Sequence, residues 1–417
     1  ANISGAAYVF RFQGDLWSQE AYVKASNTGA SDNFGQSVAV SGNTLVVGAW
    51  QEDSSASGVN GSQTNNSTVG SGAAYVFQRD DSGAWSQTAY LKASNPNTND
   101  NFGQQVAVSG DLIAVSAPRE SSGAVGVNGI QSDNSAANAG AVYIFRRTGS
   151  GAAVAWQQEA YLKASAPGAD DRFGEAIALD GATLVVGAKT EDSSATGVVP
   201  DVGNNAAADA GAAYVFTATD GIWSQQAYIK ASNAEAGDEF GHAVALRGDL
   251  LAVGAIREAS SATGLNGSQS DNSAADAGAA YLFRRNRSGT WTQEAYVKAA
   301  NAEANDEFGT AVAVGNESFA VSAQMESSVA TGIGGDAADN GALRSGAVYL
   351  YRPDGGLWGQ AAYIKASNTE ANDNFGLRVA LSGNGLAVYA EEDSSSSGIN
   401  GSQGNGINLS GATYFFR

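Results

Sequence analysis

Short apolar runs alternate along the whole chain with turns of glycine, asparagine, aspartate and serine. One unit has four apolar runs, at residues 37–40, Thr44–Ala49, residues 72–77 and residues 88–93. A tight turn joins the first run to the second, a long polar segment the second to the third, and a short turn the third to the fourth. Runs of this length that are rich in β-branched and aromatic residues predict strands joined by hairpins. No window keeps the 3.6-residue period of a helix. The pattern therefore predicts an all-β protein.

The unit is repeated in one register. A Phe-Gly dipeptide, a Trp and a Tyr-x-Lys segment recur at steps of 67 to 71 residues, with the Phe at Phe34, Phe102, Phe173, Phe240, Phe308 and Phe375. The first two predicted strands of each repeat are apolar on both faces, so each sheet must be covered on both sides. Repeated four-stranded units packed in this way predict a β-propeller of antiparallel blades. We expect a single domain over residues 1–417, with repeats beginning near residues 34, 102, 173, 240, 308 and 375.

The two ends of the sequence affect the blade count. The chain begins with a third and a fourth strand of the pattern, continues with five complete four-stranded repeats, and ends with a first, a second and a third strand. The total is 25 predicted strands. We expect six blades, with residues 1–26 completing the last blade and the N-terminal fourth strand closing the ring. One copy of the third strand is then displaced and is available to pair with a neighbouring molecule. Seven blades are the alternative.

Phe-Gly followed by an apolar strand and by a segment such as Val47-Gly48-Ala49 resembles the FG-GAP repeat. That repeat builds the propeller heads of integrin α subunits and many bacterial surface proteins. The resemblance implies an extracellular or cell-surface location, in a microbe, and a role in binding or adhesion. Calcium-binding integrin repeats carry an Asp-rich loop between the first two strands, whereas this chain has a bare turn such as Ser41-Gly42-Asn43. The integrin cation site therefore does not carry over.

The charge balance narrows the choice of partner. Lys and Arg number 22 and Asp and Glu number 42, which gives a net charge of −20. A nucleic-acid partner is excluded because it requires a basic surface. No apolar run reaches the ~20 residues of a membrane-spanning helix. The absence of cysteine excludes disulfides and thiolate catalysis.

A non-enzymatic binding or adhesion propeller is the function that we favour. Its long loops lie on one face and present a platform to a protein or a glycan. The alternative is a structural subunit of a filament or surface coat, self-assembled by exchange of terminal strands. An enzyme ranks third, because one histidine and no cysteine leave carboxylate chemistry such as that of a glycosidase.

Repeated charged residues indicate a shared scaffold. Buried lysine is costly unless a carboxylate pairs with it, so we expect each repeated Lys to bond a repeated Glu or the Asp that precedes Phe-Gly. The lysines are Lys24, Lys92, Lys163, Lys230, Lys298 and Lys365. The glutamates are Glu52, Glu120, Glu191, Glu258, Glu326 and Glu392. The aspartates are Asp32, Asp100, Asp171, Asp238, Asp306 and Asp373, for which we favour a turn-forming role.

The long loops after the second strand hold the candidate sites. Four loops share an Asn-Gly-x-Gln core, and in two of them Asp133-Asn134 or Asp271-Asn272 follows. These oxygens are candidate ligands of Ca²⁺, or they form Asx turns that hold the loop together. Just before each loop one position varies among repeats, which is where recognition is expected. The varying residues are Trp50, Pro118, Lys189, Ile256, Gln324 and Glu391.

Overall fold

The structure is a computed structural model that describes residues 2–149, 154–199, 203–391, 398–401 and 410–417. All regular structure in these ranges is β, as the sequence predicts. Within the same ranges there is no helix long and apolar enough to cross a membrane.

Six repeats of strands follow an N-terminal hairpin. The hairpin consists of β1 (Ala7–Gln13) and β2 (Leu16–Val23). The first repeat contains β3 (Val38–Ser41), β4 (Thr44–Ala49), β5 (Ala73–Arg79) and β6 (Trp85–Leu91), and the second contains β7 (Val106–Ser109), β8 (Leu112–Ala117), β9 (Ala141–Thr148) and β10 (Ala155–Leu162). The third contains β11 (Ala176–Asp180), β12 (Thr183–Ala188), β13 (Val198–Val199), β14 (Ala212–Thr219) and β15 (Ile222–Ile229).

The remaining repeats follow the same order. The fourth contains β16 (Phe240–Arg247), β17 (Leu250–Ala255), β18 (Ala279–Arg285) and β19 (Trp291–Val297). The fifth contains β20 (Phe308–Val314), β21 (Phe319–Ala323), β22 (Ala347–Asp354) and β23 (Leu357–Ile364), and the sixth contributes β24 (Arg378–Ser382), β25 (Gly385–Ala390) and β26 (Ala412–Phe416). Each sheet pairs its strands in chain order, except that β13 lies at the outer edge beside β15.

These sheets confirm the predicted fold class, a six-bladed β-propeller of antiparallel blades. The pairing at the ends differs in detail from the expected closure. β1 and β2 pair with each other over the whole hairpin, and β24, β25 and β26 form a separate sheet. Among the described strands, β2 keeps its hairpin partner and is not paired with the last blade. Assembly by strand exchange stays a prediction.

Packing divides the chain into two compact units. The first unit consists of Ala1–Glu191, Asp201–Gly203 and Tyr214–Gln226. The second unit consists of Asp192–Pro200, Asn204–Ala213 and Ala227–Arg417. In the first unit the second strands β4 and β8 are buried along their whole length. In the second unit β17 and β21 are buried in the same way. Burial on both faces explains why these strands read as continuous apolar runs instead of alternating.

The Phe-Gly dipeptide joins consecutive repeats. Phe102 packs edge-on against Tyr143 of its own repeat, with ring centroids 5.3 Å apart, and its N–H donates to the carbonyl of Ser71 in the preceding repeat. Gly72 lies directly beside Phe102 with φ +80°, and a Cβ at Gly72 would be 2.0 Å from the Phe102 carbonyl oxygen. Only glycine fits this approach, which explains the glycine before the third strand.

Candidate binding surface

The long loops connect the second strand to the third in each repeat, so within each blade they lie at the end opposite the short turns. They span residues 50–72, 118–140, 189–211, 256–278, 324–346 and 391–411. The Phe-Gly turn and the repeated Lys lie at the same end of the blade. The long loops therefore stand over the buried charged residues that the sequence singles out.

Each of five long loops is attached at its base to the fourth strand of its own blade. Single antiparallel bridges join Val59 to Leu91 and Leu265 to Val297. In the third repeat the same contact extends to two residues and forms β13. This pairing between loop and fourth strand hydrogen-bonds the outer edge of that strand near its C-terminal end. It also fixes the point at which the loop leaves the blade.

The Asn-Gly-x-Gln core forms this attachment. Asn266 has φ +56°, a conformation that Asn tolerates better than most residues. Its N–H donates to the Tyr296 carbonyl at 2.8 Å, and its Oδ1 accepts from the Tyr296 N–H at 3.0 Å. The Gln of the core binds the linker before its repeat, as where Gln269 accepts from the Ser232 hydroxyl at 2.7 Å. In the fifth repeat, which lacks the core, Gly334 donates to the Tyr363 carbonyl.

A buried ion pair lies under at least four of the long loops. Lys92 Nζ is 2.8 Å from Glu52 Oε2, and both side chains are almost fully buried. Lys92 also donates to the Ser71 hydroxyl at 2.7 Å. Burial lowers the pKa of Lys92, because the uncharged amine is easier to desolvate. The other three pairs are Lys163 with Glu120, Lys298 with Glu258 and Lys365 with Glu326.

The ion pair is tied to the preceding repeat through an asparagine. Asn27 donates to Glu52 Oε1 at 2.8 Å and accepts from the Tyr75 hydroxyl at 2.6 Å. The Tyr90 hydroxyl donates to the same Glu52 oxygen. Asn95, Asn233 and Asn301 hold the same place in later repeats. Our sequence reasoning did not single out these asparagines, although a Lys-Ala-Ser-Asn segment at residues 24–27, 92–95 and 230–233 and Lys-Ala-Ala-Asn at residues 298–301 signal them.

The repeated charged set also includes Lys24, Lys230, Glu191 and Glu392. Lys24 donates to the Ser4 hydroxyl at 2.9 Å and to the Gly5 carbonyl. Lys230 and Glu191 are both buried. Glu392 lies outside the described residues.

The aspartate before each Phe-Gly closes a tight turn. The carboxylate of Asp306 accepts from the Glu303 N–H at 2.9 Å, and Asp100 accepts from the Asn97 N–H in the same way. Burial raises the pKa of Asp100, Asp238 and Asp306 to about 7, because a charged carboxylate is costly away from water. This geometry is that of the turn-forming role that we favoured for these residues.

The six varying positions directly follow the second strand. Pro118 and Ile256 are buried and do not present a side chain to solvent. Trp50 and Lys189 are half-buried. Gln324 donates to Glu307 Oε2 at 2.6 Å. Half-buried Glu391 accepts from the Asn374 amide at 3.5 Å.

The candidate calcium ligands lie in local turns. Asp133 accepts from the N–H and the hydroxyl of Ser135, at 3.0 and 2.9 Å. Asp271 accepts from Ser273 and Ser261, and these bonds lower its pKa. Asn272 donates to Glu235, and Asn134 is exposed. In the described parts of the chain no three acidic or histidine side chains are close enough together to hold a metal ion.

Apolar side chains are exposed on several of the long loops. Val125 and Ile130 on the second loop are 58% and 73% exposed. The fifth loop exposes Val329, Ile333 and Leu343. Ile333 belongs to the base, where it bridges to Ile364, and the other four residues lie outside the bridges that attach their loops.

The comparisons with known proteins agree with this architecture. The family model of the FG-GAP repeat matches six segments of the chain, at residues 17–77, 85–145, 156–216, 223–283, 291–351 and 358–416. The chain belongs to the FG-GAP repeat family. Each matched FG-GAP segment begins at the Trp of a fourth strand and runs into the third strand of the following blade, so the family unit contains the junction between two blades. No curated protein matches the chain significantly.

A second inter-blade contact belongs to this FG-GAP unit, and the sequence reasoning did not include it. The indole N–H of Trp85 donates to Glu20 Oε2 of the preceding hairpin at 3.0 Å. Trp223 donates to Glu159 Oε1 of the preceding blade at 2.7 Å. The signal in the sequence is an acidic residue three positions after the repeated Trp, which is present in only some repeats.

Proposed function

We propose that this FG-GAP propeller is a non-enzymatic binding protein that acts outside the cell or at its surface, and that its long loops contact a protein or a glycan. The observation that carries the proposal is the contrast between the base and the tip of each loop. The base repeats the same ion pair and the same fourth-strand contact, whereas the rest of the loop differs in sequence and exposes apolar residues such as Ile130 and Leu343. Exposed apolar groups on a fixed scaffold are typical of interaction sites.

Three further observations support the proposal. The repeated glutamates are buried and bound to lysine, which does not support the glycosidase alternative. FG-GAP repeats are typical of extracellular and surface proteins, which favours the proposed location. The acidic composition favours neutral or cationic partners.

A loop variant tests the proposal against a matched control. Val329 and Leu343 are replaced together by serine, and the control makes the same change at Ile222 and Leu357, which are also exposed and lie beside the short turns at the other end. Both variants and the parent are screened on a glycan array and on an array of cell-surface and extracellular-matrix proteins. The expected result is a parental signal that only the loop variant loses. Absence of any parental signal, or equal loss in both variants, contradicts the proposal.

Calcium binding by the loops stays a prediction with its own measurement. The oxygens of Asp133 and Asp271 supply the hard ligands that Ca²⁺ prefers. If the loops bind Ca²⁺, the thermal midpoint in Ca²⁺ exceeds that in EGTA, because a ligand that binds only the folded state stabilises it. An unchanged midpoint at millimolar Ca²⁺ contradicts calcium binding.

A further inference from the structure

A residue at or next to the end of the third strand makes the same backbone hydrogen bond in four repeats. The N–H groups of Arg79, Arg147 and Arg285 each donate to a carbonyl in the turn between the first two strands, at 2.8 to 2.9 Å. Ala218 makes the same bond to Ala182 in the third repeat, at 2.9 Å. Ala218 is therefore the backbone equivalent of the three arginines, and the third repeat lacks their guanidinium group.

Glu20 shows what that guanidinium does at a junction between repeats. Arg79 donates to Glu20 Oε1 through Nε at 2.9 Å and through Nη2 at 2.7 Å. Arg11, from the hairpin that carries Glu20, donates to the same oxygen at 3.3 Å. Trp85 donates to the other oxygen. Glu20 thus binds two guanidinium groups and one indole, and these lower its pKa to about 2.

Glu159 has the same surroundings with one group missing. Arg146, on its own blade, corresponds to Arg11 and donates to both Glu159 oxygens. Trp223 corresponds to Trp85 and donates to Glu159 Oε1. Ala218 holds the place of Arg79, so the second guanidinium of the Glu20 site has no counterpart at Glu159.

A cavity lies where that guanidinium is missing. It has a volume of about 510 Å³ and is lined by Arg146, Glu159, Ala182, Ala218, Asp220 and Gly221. A Cβ added to Gly221 would lie 3.7 Å from Glu159 Oε2, so this turn closely approaches the carboxylate. Asp220 is exposed at the same turn and adds a second negative charge. The side chains that line the cavity have two carboxylates and one guanidinium, which leaves an excess of one negative charge.

We propose that this cavity binds the guanidinium group of an arginine side chain from a partner protein. The arginine takes the place that Arg79 holds beside Glu20, with Glu159 as its main acceptor and Asp220 at the entrance. The planar guanidinium presents several N–H donors to a carboxylate, whereas an ammonium is a point charge, so arginine is favoured over lysine. The net charge of −20 supports the approach of a basic partner. The site lies at the short turns and is independent of the long loops.

Titration with a small arginine probe tests the proposal on the full chain. The probe is L-arginine amide, and the readout is the ¹⁵N–¹H signal of the Trp223 indole, which donates to Glu159. L-citrulline amide is the neutral analogue of the same shape, and L-lysine amide tests the preference for guanidinium. We expect saturable shifts with arginine amide, at least about tenfold weaker binding of lysine amide, and no saturation with citrulline amide.

Three variants make the result specific. Ala218→Arg places the missing guanidinium in the cavity, and Glu159→Gln removes the main acceptor, so each is expected to abolish saturation by arginine amide. Thr217→Arg adds the same charge one position earlier on β14 and is expected to leave binding unchanged. Unaltered binding to Ala218→Arg, or saturation by citrulline amide equal to that by arginine amide, overturns the proposal. If Ala218→Arg does not fold, unaltered binding of arginine amide to Glu159→Gln overturns the proposal instead. If the long loops do not bind a protein or a glycan, the expected results of the arginine amide titrations stay the same.

Discussion

Trp156 differs from Trp85 and Trp223 by one missing acceptor. It is 5% exposed, and no acceptor among the described residues lies within hydrogen-bond distance of its indole N–H. Thr88 stands where Glu20 and Glu159 stand in their strands, and it is exposed. A buried donor without a partner costs stability, so this junction is weaker than its two counterparts.

Thr88→Glu is expected to strengthen that junction. The new carboxylate can accept from the Trp156 indole, as Glu20 accepts from Trp85, and a gain of about 1 kcal/mol in the free energy of unfolding follows. Urea denaturation measures it. Ser86→Glu adds the same charge two residues earlier on the same strand and serves as the control. Equal stability of the two variants speaks against the missing-acceptor explanation.

The buried ion pair is expected to behave as a unit. Lys298→Met leaves Glu258 charged and buried, which costs about 3–5 kcal/mol of unfolding free energy. Adding Glu258→Gln to that variant removes the charge and restores part of the loss. Arg284→Met breaks an exposed pair with Glu294 and is expected to change stability by less than about 1 kcal/mol. A double variant that is less stable than Lys298→Met refutes the coupling.

At the scale of the element, each loop with the Asn-Gly-x-Gln core has the Asn of that core in the left-handed region at its base. Asn266→Gly keeps the backbone conformation and removes only the bond to the Tyr296 N–H, so a loss of about 1 kcal/mol is expected. Asn266→Ala also adds backbone strain, which costs about 1 kcal/mol more. Thermal unfolding of the two variants measures the difference. If the Gly variant is the less stable of the two, the conformational argument fails.

The strands and their order could be predicted from the sequence because the same pattern of apolar runs and turns recurs in every repeat. The apolar run Thr44–Ala49 is buried on both faces, and the Phe-Gly at Phe102 marks the contact with the preceding repeat. Asn27 and Glu20 were missed because each acts on a residue about 50 to 65 positions away. Spacing within one strand carries no information about a partner in the next blade.

The candidate site could be predicted only in part. The position of the long loops follows from strand order, so it was accessible from the sequence. The burial of Ile256 and Pro118 could not be predicted from the sequence, because a position that varies among repeats can equally well lie in a core that repacks locally. The cavity at Ala218 depends on an absent side chain, which becomes meaningful only when the four backbone positions are superposed.

At the scale of the whole molecule, the buried aspartates predict a dependence of stability on pH. The pKa of Asp100, Asp238 and Asp306 is about 7 in the folded state, against an ordinary aspartate value of 3.8. A group whose folded pKa is raised contributes stability that is full below the unfolded pKa and is lost as pH rises through the folded value. The contribution of these groups to the unfolding free energy therefore falls between about pH 4 and pH 7, by up to about 1.4 kcal/mol per pH unit for each.

Asp306→Asn isolates one of these groups. The amide keeps an oxygen that can accept from the Glu303 N–H, and it does not ionise. The variant is expected to match the parent at about pH 3, below the unfolded pKa, and to be more stable by at least about 1 kcal/mol at pH 8. Chemical denaturation at the two pH values measures this. A variant that is less stable than the parent at pH 8 shows that the carboxylate is needed in its charged form.

Hydrogen exchange resolved by residue tests the central claim, that a repeated buried scaffold fixes the base of each long loop and leaves its tip open. In the fourth repeat the N–H groups of Asn266, Tyr296 and Lys298 are hydrogen-bonded at the base, whereas residues 268–272 are largely exposed. We predict that the three base amides exchange at least about a hundredfold more slowly than those of the tip. Base amides that exchange as fast as the tip would contradict the account.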